Sequence, residues 1–438
     1  MKSVDVTISG AGLVGPLVAL VLSKRGKRVR LIEGRPDPRL VGSATGRSIN
    51  LTLSTRAWRT LAAVGLEEVV RAIAIPLQGR RIHLEQGERF QPYGASGEAI
   101  YSVMRGRLHT ALLDAVSKDP NLTIQFGQRC VEIDTERGIA HIEDQQSGAR
   151  WKIEDAPILV ADGAASTLVT RREPMSIGYK EVRIPVQPDG RWPFDPHSLH
   201  LWPRGDYFFA AFPNLDRSFT CSLFLPHAGP VSFETLKTPA DVRALFSEVA
   251  PDLAAVAMLD DYAARAPSKL YTVQCAQWAF GDRVLLLGDA AHAIVPFLGQ
   301  GLNASCEDVA ILDQCLDECG GEWGPSFAAF ERRRKDDICA LADLAVRHFH
   351  EISASVRGPE WVMRKRLEQK LYELSPTTFV PFYTGVSFTN MPYRSVAARA
   401  VANDAVLDAL LKIPDVEQRW DEPGVRDRVH SLLPKGLS

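Results

Sequence analysis

Gly10-Ala11-Gly12-Leu13-Val14-Gly15 follows the apolar run Val4 to Ser9 and opens an apolar stretch from Leu13 to Lys24. A strand, a glycine turn and a helix in that order leave few folds open. Gly10 permits the tight turn, Gly12 lets the backbone approach a pyrophosphate attracted by the helix N-terminus, and Gly15 allows close helix–strand packing. Leu13 and Val14 carry the turn into the helix, where Pro16 costs little because its missing N–H falls in the first turn. Gly26 closes the helix, and Arg28 to Glu33 reads as a second strand, completing a right-handed βαβ unit. Glu33 stands about 20 residues beyond the turn, where a carboxylate bonds the ribose hydroxyls of an adenosine. Arg35, just past it, is a further candidate contact.

A second glycine motif lies far down the chain. Val284 to Leu287 reads as a strand, with Gly288 and Asp289 at its end. A carboxylate there accepts hydrogen bonds from a ribityl chain. Pro296, Gly299, Gln300 and Gly301 then form a loop that runs through Leu302 to a helix start near Asn303. Amides at such a helix start stabilise negative charge on a flavin pyrimidine. The two motifs together predict one chain folded around a single FAD. Within the loop, His292 is expected to hold position rather than to act as an acid or base.

Bulk properties fit that reading. At 438 residues the chain is long enough for two or three packed units. The formal net charge of −2 gives no reason to expect nucleic acid or an anionic membrane as partner. The 7 cysteines are scattered, and none has the spacing of a zinc knuckle or a redox pair, so no metal is expected and reduced thiols in a cytoplasmic protein are. The N-terminal apolar segment contains the glycine turn, which argues against a signal peptide. No window reaches the roughly 18 apolar residues that span a bilayer. The stretch Phe379 to Phe388, interrupted by Pro381, reads as core or pocket lining.

The predicted class is α/β: a Rossmann-like FAD-binding domain of the glutathione-reductase type, an antiparallel-sheet substrate domain and a C-terminal helical region. The FAD domain is discontinuous, with residues 1–73, 100–177 and 270–325. The sheet domain takes residues 74–99 and 178–269, and the helical region residues 326–438. Segments 123–126, 130–135, 138–143 and 150–154 read as one meander. Ile158 to Ala161 reads as a buried parallel strand ending at Asp162, and residues 198–202, 207–212 and 218–225 alternate with period two. Helices are expected at about 304–318, 325–355, 359–374 and 394–412. The run Arg332-Arg333-Arg334-Lys335 reads as a solvated face of the second of these.

Asp162-Gly163-Ala164-Ala165-Ser166 resembles the middle motif of the aromatic-hydroxylase flavoproteins. That family places an Arg three residues after the Ser, where this chain has Val169, with Arg171 and Arg172 later. Arg105, after Tyr101-Ser102-Val103-Met104, resembles the family's flavin-contacting arginine. Further stretches narrow the likeness. Gly46-Arg47-Ser48-Ile49-Asn50-Leu51, Ile75 to Arg80, Gln91-Pro92-Tyr93-Gly94, His200 to Tyr207, Asn214 to Thr220 and Thr378 to Tyr383 resemble the kynurenine 3-monooxygenase family, from about residue 4 to about 400.

The resemblance implies that Arg80 and Tyr93, joined by Tyr383, bind the carboxylate of an amino-acid substrate. A guanidinium forks onto a carboxylate and two phenols complete the set. It implies cofactor contacts at Arg47 and Arg105, and a loop Pro296 to Gly301 over the reacting face, with Phe297 and Leu298 beside the substrate. It also implies the reaction: NADPH reduces FAD, O2 adds to give a flavin hydroperoxide, and the ring of L-kynurenine is hydroxylated to 3-hydroxykynurenine. No catalytic side chain is required, and NADPH and O2 are transient partners. The chain departs from the family at His348, usually Asn; at Leu298, usually Phe or His; and at Gly385, usually Met. Two of these changes remove volume, which suggests room for a ring-substituted kynurenine or a bulkier aromatic amino ketone. The tail ends near Leu432-Leu433-Pro434-Lys435 without the membrane anchor of eukaryotic members, so no membrane is expected. A flavin halogenase lacks support because the Trp-x-Trp-x-Ile-Pro signature is absent. A non-enzymatic flavin-binding interaction protein is the rival from another class. Monomer and homodimer both remain open.

Overall fold

A computed structural model describes residues 3–40, 49–94, 97–154, 157–264 and 266–433. Gly46-Arg47-Ser48, and so the candidate Arg47, lie outside the described residues.

The frame is a six-stranded sheet. Its order is Ala279–Phe280, Val284–Leu286, Ile158–Val160, Val6–Ser9, Val29–Glu33 and Leu122–Phe126. Val6–Ser9 is buried throughout and pairs in parallel on both sides, Ile8 opposite Leu31 and opposite Leu159. Continuous apolar runs such as Ile158-Leu159-Val160 and Val284-Leu285-Leu286 are what strands covered on both faces require. Because these neighbours run parallel, the glycine turn, Asp162 and the Gly288-Asp289 turn all leave the same edge of the sheet. Ligands of open α/β sheets bind at that carboxyl edge.

Leu122–Phe126 was expected in the meander, and the sheet corrects this: it pairs in parallel with Val29–Glu33. As an edge strand it buries alternate residues, the same pattern a meander strand shows. The meander itself has three strands, Gln128–Asp134, Ile139–Asp144 and Arg150–Ile153.

The second large sheet has seven strands, ordered Ser268–Val273, Arg172–Ile184, Phe219–Pro226, Phe208–Pro213, Ser198–Pro203, Gly79–Leu84 and Gly87–Pro92. It is antiparallel except at one junction, where Ser198–Pro203 lies parallel to Gly79–Leu84 and Leu199 faces Arg80. Its two faces separate by period two. Phe209, Ala211, Phe219, Cys221 and Leu223 form a closed core under helices Pro239–Val249 and Pro251–Val256. Thr238 and Asp241 fix the start of the first of these helices with a reciprocal cap. The alternate residues Leu199, Leu201, Phe208, Ala210, Phe212 and Phe224 face the flavin-side sheet.

Ala74–Leu77 does not join this sheet. It pairs with Ile100–Met104, which also pairs with Asn50–Leu53, so the crossover to the substrate sheet falls at Gln78 rather than residue 74. The substrate sheet also begins earlier than residue 178 and ends later than residue 269. After the second glycine motif the chain is helical: Gly301–Glu318, Trp323–Ser353, Pro359–Leu374, Phe382–Ser387, Tyr393–Leu411 and Pro423–Leu432. Among the described residues no helix is long and apolar enough to cross a membrane.

Candidate active site

One cavity of about 760 Å³ runs from the glycine turn to the substrate sheet. This lies within the range of sites that take cofactors and small ligands. Its lining includes Gly10, Gly12, Leu13, Val14, Glu33, Arg35, Arg105, Asp162 and Asp289 at one end, and Arg80, Tyr93, His348 and Tyr383 at the other.

The glycines divide by role. Gly10 has φ +98°, and a Cβ there would come within 2.5 Å of the Ala161 carbonyl oxygen. At Gly15 a Cβ would lie 2.0 Å from the Gly10 carbonyl oxygen, so the helix sits too close to the turn for any side chain. Gly12 is different: a Cβ would meet no protein atom within 4 Å, because the position opens on the cavity. The turn therefore offers bare backbone to a ligand at the start of helix Val14–Lys24, as a pyrophosphate needs.

Glu33 accepts from the Ala11 amide at 3.0 Å and from Arg35 Nε at 2.8 Å. Burial alone would raise its carboxyl; the Arg35 contacts and the Ala11 amide hold it below the usual range. It is thus an anion ready to accept from ribose hydroxyls. Two other carboxyls are unusual. Burial pushes Asp162 up to about 6, against the pull of Ser166 and Ser9, and its buried Oδ1 has no partner. Burial also raises Asp289. Both face the cavity, and the unpartnered Oδ1 of Asp162 suits the hydroxyl-bearing chain of a flavin. The residues present therefore fit FAD. Beyond the middle motif, Arg172 folds back to donate from Nε to the Ala164 carbonyl at 3.1 Å, bracing the loop.

In the distal loop the side chains of Gln300 and Asn303 bond to the protein. The Gln300 side chain turns from the cavity and accepts from the Tyr393 hydroxyl at 3.2 Å. Asn303 is fully buried and donates to the carbonyls of Thr52 and Gly299 at 2.9 and 2.8 Å, while its Oδ1 accepts from the Ser54 amide. The expected contact at this helix start is through backbone amides, which these side-chain bonds do not use. Gly288 also shapes the site without lining it: its φ of +58° turns the chain beside Val14 and Ser305. Pro296, Phe297, Leu298, Gly299, Gly301 and Leu302 do line the cavity. His292 is buried, as expected of a positional residue, and its Nε2 meets Asp308, which also accepts from the Gly288 amide at 3.0 Å.

Sequence reasoning missed the network behind this loop. Asp308, Glu307 and Asp337 converge on buried Arg334 at 2.8, 2.7 and 3.0 Å, and Arg56 bonds Glu307 from the other side. Arg334 does not belong to a solvated face: the helix turns it inward while Arg332 and Arg333 stay exposed. Glu307 and Asp308, within the otherwise apolar or small run Ala304 to Leu312, were the available signal.

At the far end, Arg80 extends from strand Gly79–Leu84 and is 4% exposed. It has no carboxylate partner among the described residues, and its Nε is unpaired. Its guanidinium carbon lies 5.4 Å from the Tyr93 ring and 5.0 Å from the Tyr383 ring. Those rings stack, centroids 5.0 Å apart and 16° between planes. Burial raises both phenols, so they stay protonated and able to donate. His348 faces Arg80, Nε2 to Nη2, at 3.5 Å. Gly385, read as lost pocket volume, is corrected: a Cβ there would meet Val396 at 3.1 Å and would not enter the cavity.

Between the two ends the wall is apolar. Phe208 stacks on Phe224 at 4.6 Å, and Phe297 packs on Phe349 at 4.7 Å. Sequence reasoning did not single out Phe208 or Phe224, although their period-two spacing with Ala210 and Phe212 marked one face of the sheet. A chamber with an apolar wall and an unpaired cation at its end suits an aromatic ring carrying a carboxylate.

The family model described as "FAD binding domain" matches residues 3–326. Kynurenine 3-monooxygenase of Myxococcus xanthus is 40% identical, covering 98% of this chain and 96% of that protein. The enzyme of the same name from Flavobacterium psychrophilum is 36% identical, covering 99% of each. Among solved structures, 2-methyl-3-hydroxypyridine-5-carboxylic acid oxygenase superposes with a TM-score of 0.66 at 21% identity, covering 82% of this chain and 95% of that one. p-Nitrophenol 4-monooxygenase from Pseudomonas putida does so with 0.66 at 17%, covering 85% and 94%. These last two speak to the fold alone. With the flavin-type edge, the fitted cavity and full-length likeness in hand, the chain belongs to the kynurenine 3-monooxygenase family of FAD-dependent aromatic monooxygenases.

Proposed function

We propose that this protein hydroxylates the aromatic ring of L-kynurenine to 3-hydroxykynurenine, with NADPH and O2 as co-substrates. The observation that carries the reading is Arg80: a buried guanidinium without an acid partner among the described residues, at the end of the cavity that begins at the glycine turn. Glu351 lies near but makes no ion pair with it, so a directly bonded counter-ion is expected from the ligand.

FAD, when bound, supplies the reduction by NADPH and the activation of oxygen. Gly10 and Gly12 and the start of helix Val14–Lys24 would hold its pyrophosphate, Glu33 its ribose, and Asp162 and Asp289 its hydroxyl groups. The protein's share of the reaction is placement. Arg80, Tyr93 and Tyr383 fix the substrate carboxylate, and one fixed end sets where the ring lies along the wall of Phe208, Phe224 and Phe297. That wall excludes water from the ring. Leu298 lines the cavity where the loop crosses it, and it is the one volume-reducing departure that does.

The test is NADPH oxidation by the FAD-loaded protein with and without L-kynurenine, with mass analysis of the product. Rapid, substrate-stimulated oxidation and a product one oxygen heavier support the reading. Oxidation that is unstimulated, or that yields mainly hydrogen peroxide, refutes L-kynurenine as substrate and moves attention to ring-substituted analogues.

A further inference from the structure

His348 sits on helix Trp323–Ser353, 3% exposed, with both ring nitrogens committed. Nδ1 lies 3.2 Å from Glu351 Oε2. Burial alone would raise the Glu351 carboxyl, but Lys365, His348 and Arg80 hold it well below the usual range, so it is an acceptor and Nδ1 carries a proton. Nε2 faces Arg80 Nη2 at 3.5 Å. A guanidinium only donates. Without a ligand, the form that fits is therefore the neutral ring, its Nε2 lone pair toward Arg80. Burial pushes the imidazole the same way, below its ordinary value.

The groups around His348 balance before any ligand arrives. Arg80 faces it from the substrate sheet and Glu351 from its own helix. Lys365 reaches Glu351 at 3.3 Å and Glu368 at 2.9 Å from helix Pro359–Leu374. Two cations and two anions cancel. Phe382 and the Tyr383 phenol, from helix Phe382–Ser387, add no charge; their rings lie 6.0 and 5.9 Å from the imidazole. Tyr93, stacked on Tyr383, adds none either. A carboxylate docked on Arg80 brings acceptor oxygens against the Nε2 lone pair, while the ammonium of the amino-acid substrate keeps the net charge of the ligand at zero. An N–H at Nε2 replaces that lone-pair repulsion with a charge-assisted hydrogen bond.

We propose that His348 takes one proton from solvent as the substrate carboxylate docks on Arg80, and then donates from Nε2 as the second cation of the carboxylate site. The inference rests on the proposed function, because it requires an amino-acid carboxylate at Arg80. Its sign follows from linkage. A ring whose affinity for protons rises on binding makes binding tightest at low pH, and the affinity falls about tenfold per pH unit between its free and bound pKa values. Since burial lowers the free value, that window opens below the ordinary histidine range.

The experiment is calorimetric titration of the FAD-loaded protein with L-kynurenine near pH 7, in phosphate and in Tris. The difference in heat between buffers gives the protons taken up. Uptake approaching one proton per site in the native protein, and near zero in His348→Asn, is the expected result. No buffer dependence in the native protein overturns the inference without any variant, and equal uptake in His348→Asn overturns it as well. Failure of L-kynurenine to bind at all, by heat or by a change in the flavin spectrum, overturns the substrate reading and this inference with it. Binding without uptake overturns the inference alone.

Discussion

Replacing Arg80 by Met separates binding from folding. The side chain is buried, lacks an acid partner among the described residues and leaves Nε unpaired. In a complex its fork would make two charge-assisted hydrogen bonds to the carboxylate. Removing one partner of such a buried pair costs about 2–5 kcal/mol. Tyr93, Tyr383 and His348 remain to donate, so a value near the lower middle, about 3 kcal/mol, is appropriate. At about 1.4 kcal/mol per decade this raises the KM or Kd for L-kynurenine about 150-fold. Stability moves differently. The native cation gains about 0.5–2 kcal/mol from the rings of Tyr93 and Tyr383, but its desolvation costs several kcal/mol without direct compensation. Met fills similar space without that cost, so the urea midpoint of the substrate-free variant stays level or rises. Steady-state NADPH oxidation across kynurenine concentration, paired with urea unfolding, reads both quantities. A KM within about threefold of native, or a clear loss of stability, would refute the assignment of Arg80 as a carboxylate receptor held ready at the expense of stability.

Arg334→Met should behave in the opposite sense: three buried carboxylates lose the cation they share, and unfolding free energy falls by about 3–5 kcal/mol, read by urea unfolding. Gly12→Val should leave the FAD-free fold intact, since its Cβ meets no protein atom, yet abolish the bound-flavin absorbance. Gly15→Ala should instead destabilise the fold itself, because its Cβ would meet the Gly10 carbonyl at 2.0 Å. Asp162 gives a pH prediction. Its carboxyl binds protons more tightly folded, at about 6, than unfolded, near 3.8, so its contribution to the FAD-free protein is present at low pH and lost as pH rises through about 6. Thermal melts of the FAD-free protein should show that slope, and Asp162→Asn should flatten it.

Local pattern explains much of what was legible in advance. The strand–turn–helix at residues 4–24 needs glycine at Gly10 for its φ and at Gly15 for its contact, and no other residue type satisfies either. The runs Ile158-Leu159-Val160 and Val284-Leu285-Leu286 announce strands covered on both faces, and Phe208-Phe209-Ala210-Ala211-Phe212 announces a sheet with two different faces. Local pattern failed where a neighbour decides. Leu122–Phe126 buries alternate residues whether it ends a parallel sheet or begins a meander, and only its pairing with Val29–Glu33 distinguishes them.

The chemistry of the site divides along the same line. Residue type and order alone determined that this chain builds a dinucleotide turn, a second flavin-side turn and an arginine within a strand, because each depends on backbone freedom or charge carried by a few adjacent residues. Tertiary structure alone decided which groups face the cavity. It turned the side chains of Gln300 and Asn303 inward, sent Gly385 against Val396, drew Arg334 out of a basic run into three carboxylates, and set His348 between Arg80 and Glu351. Facing is a property of packing between elements distant in sequence: Arg80 and His348 are 268 residues apart, and no local periodicity records a contact across that distance.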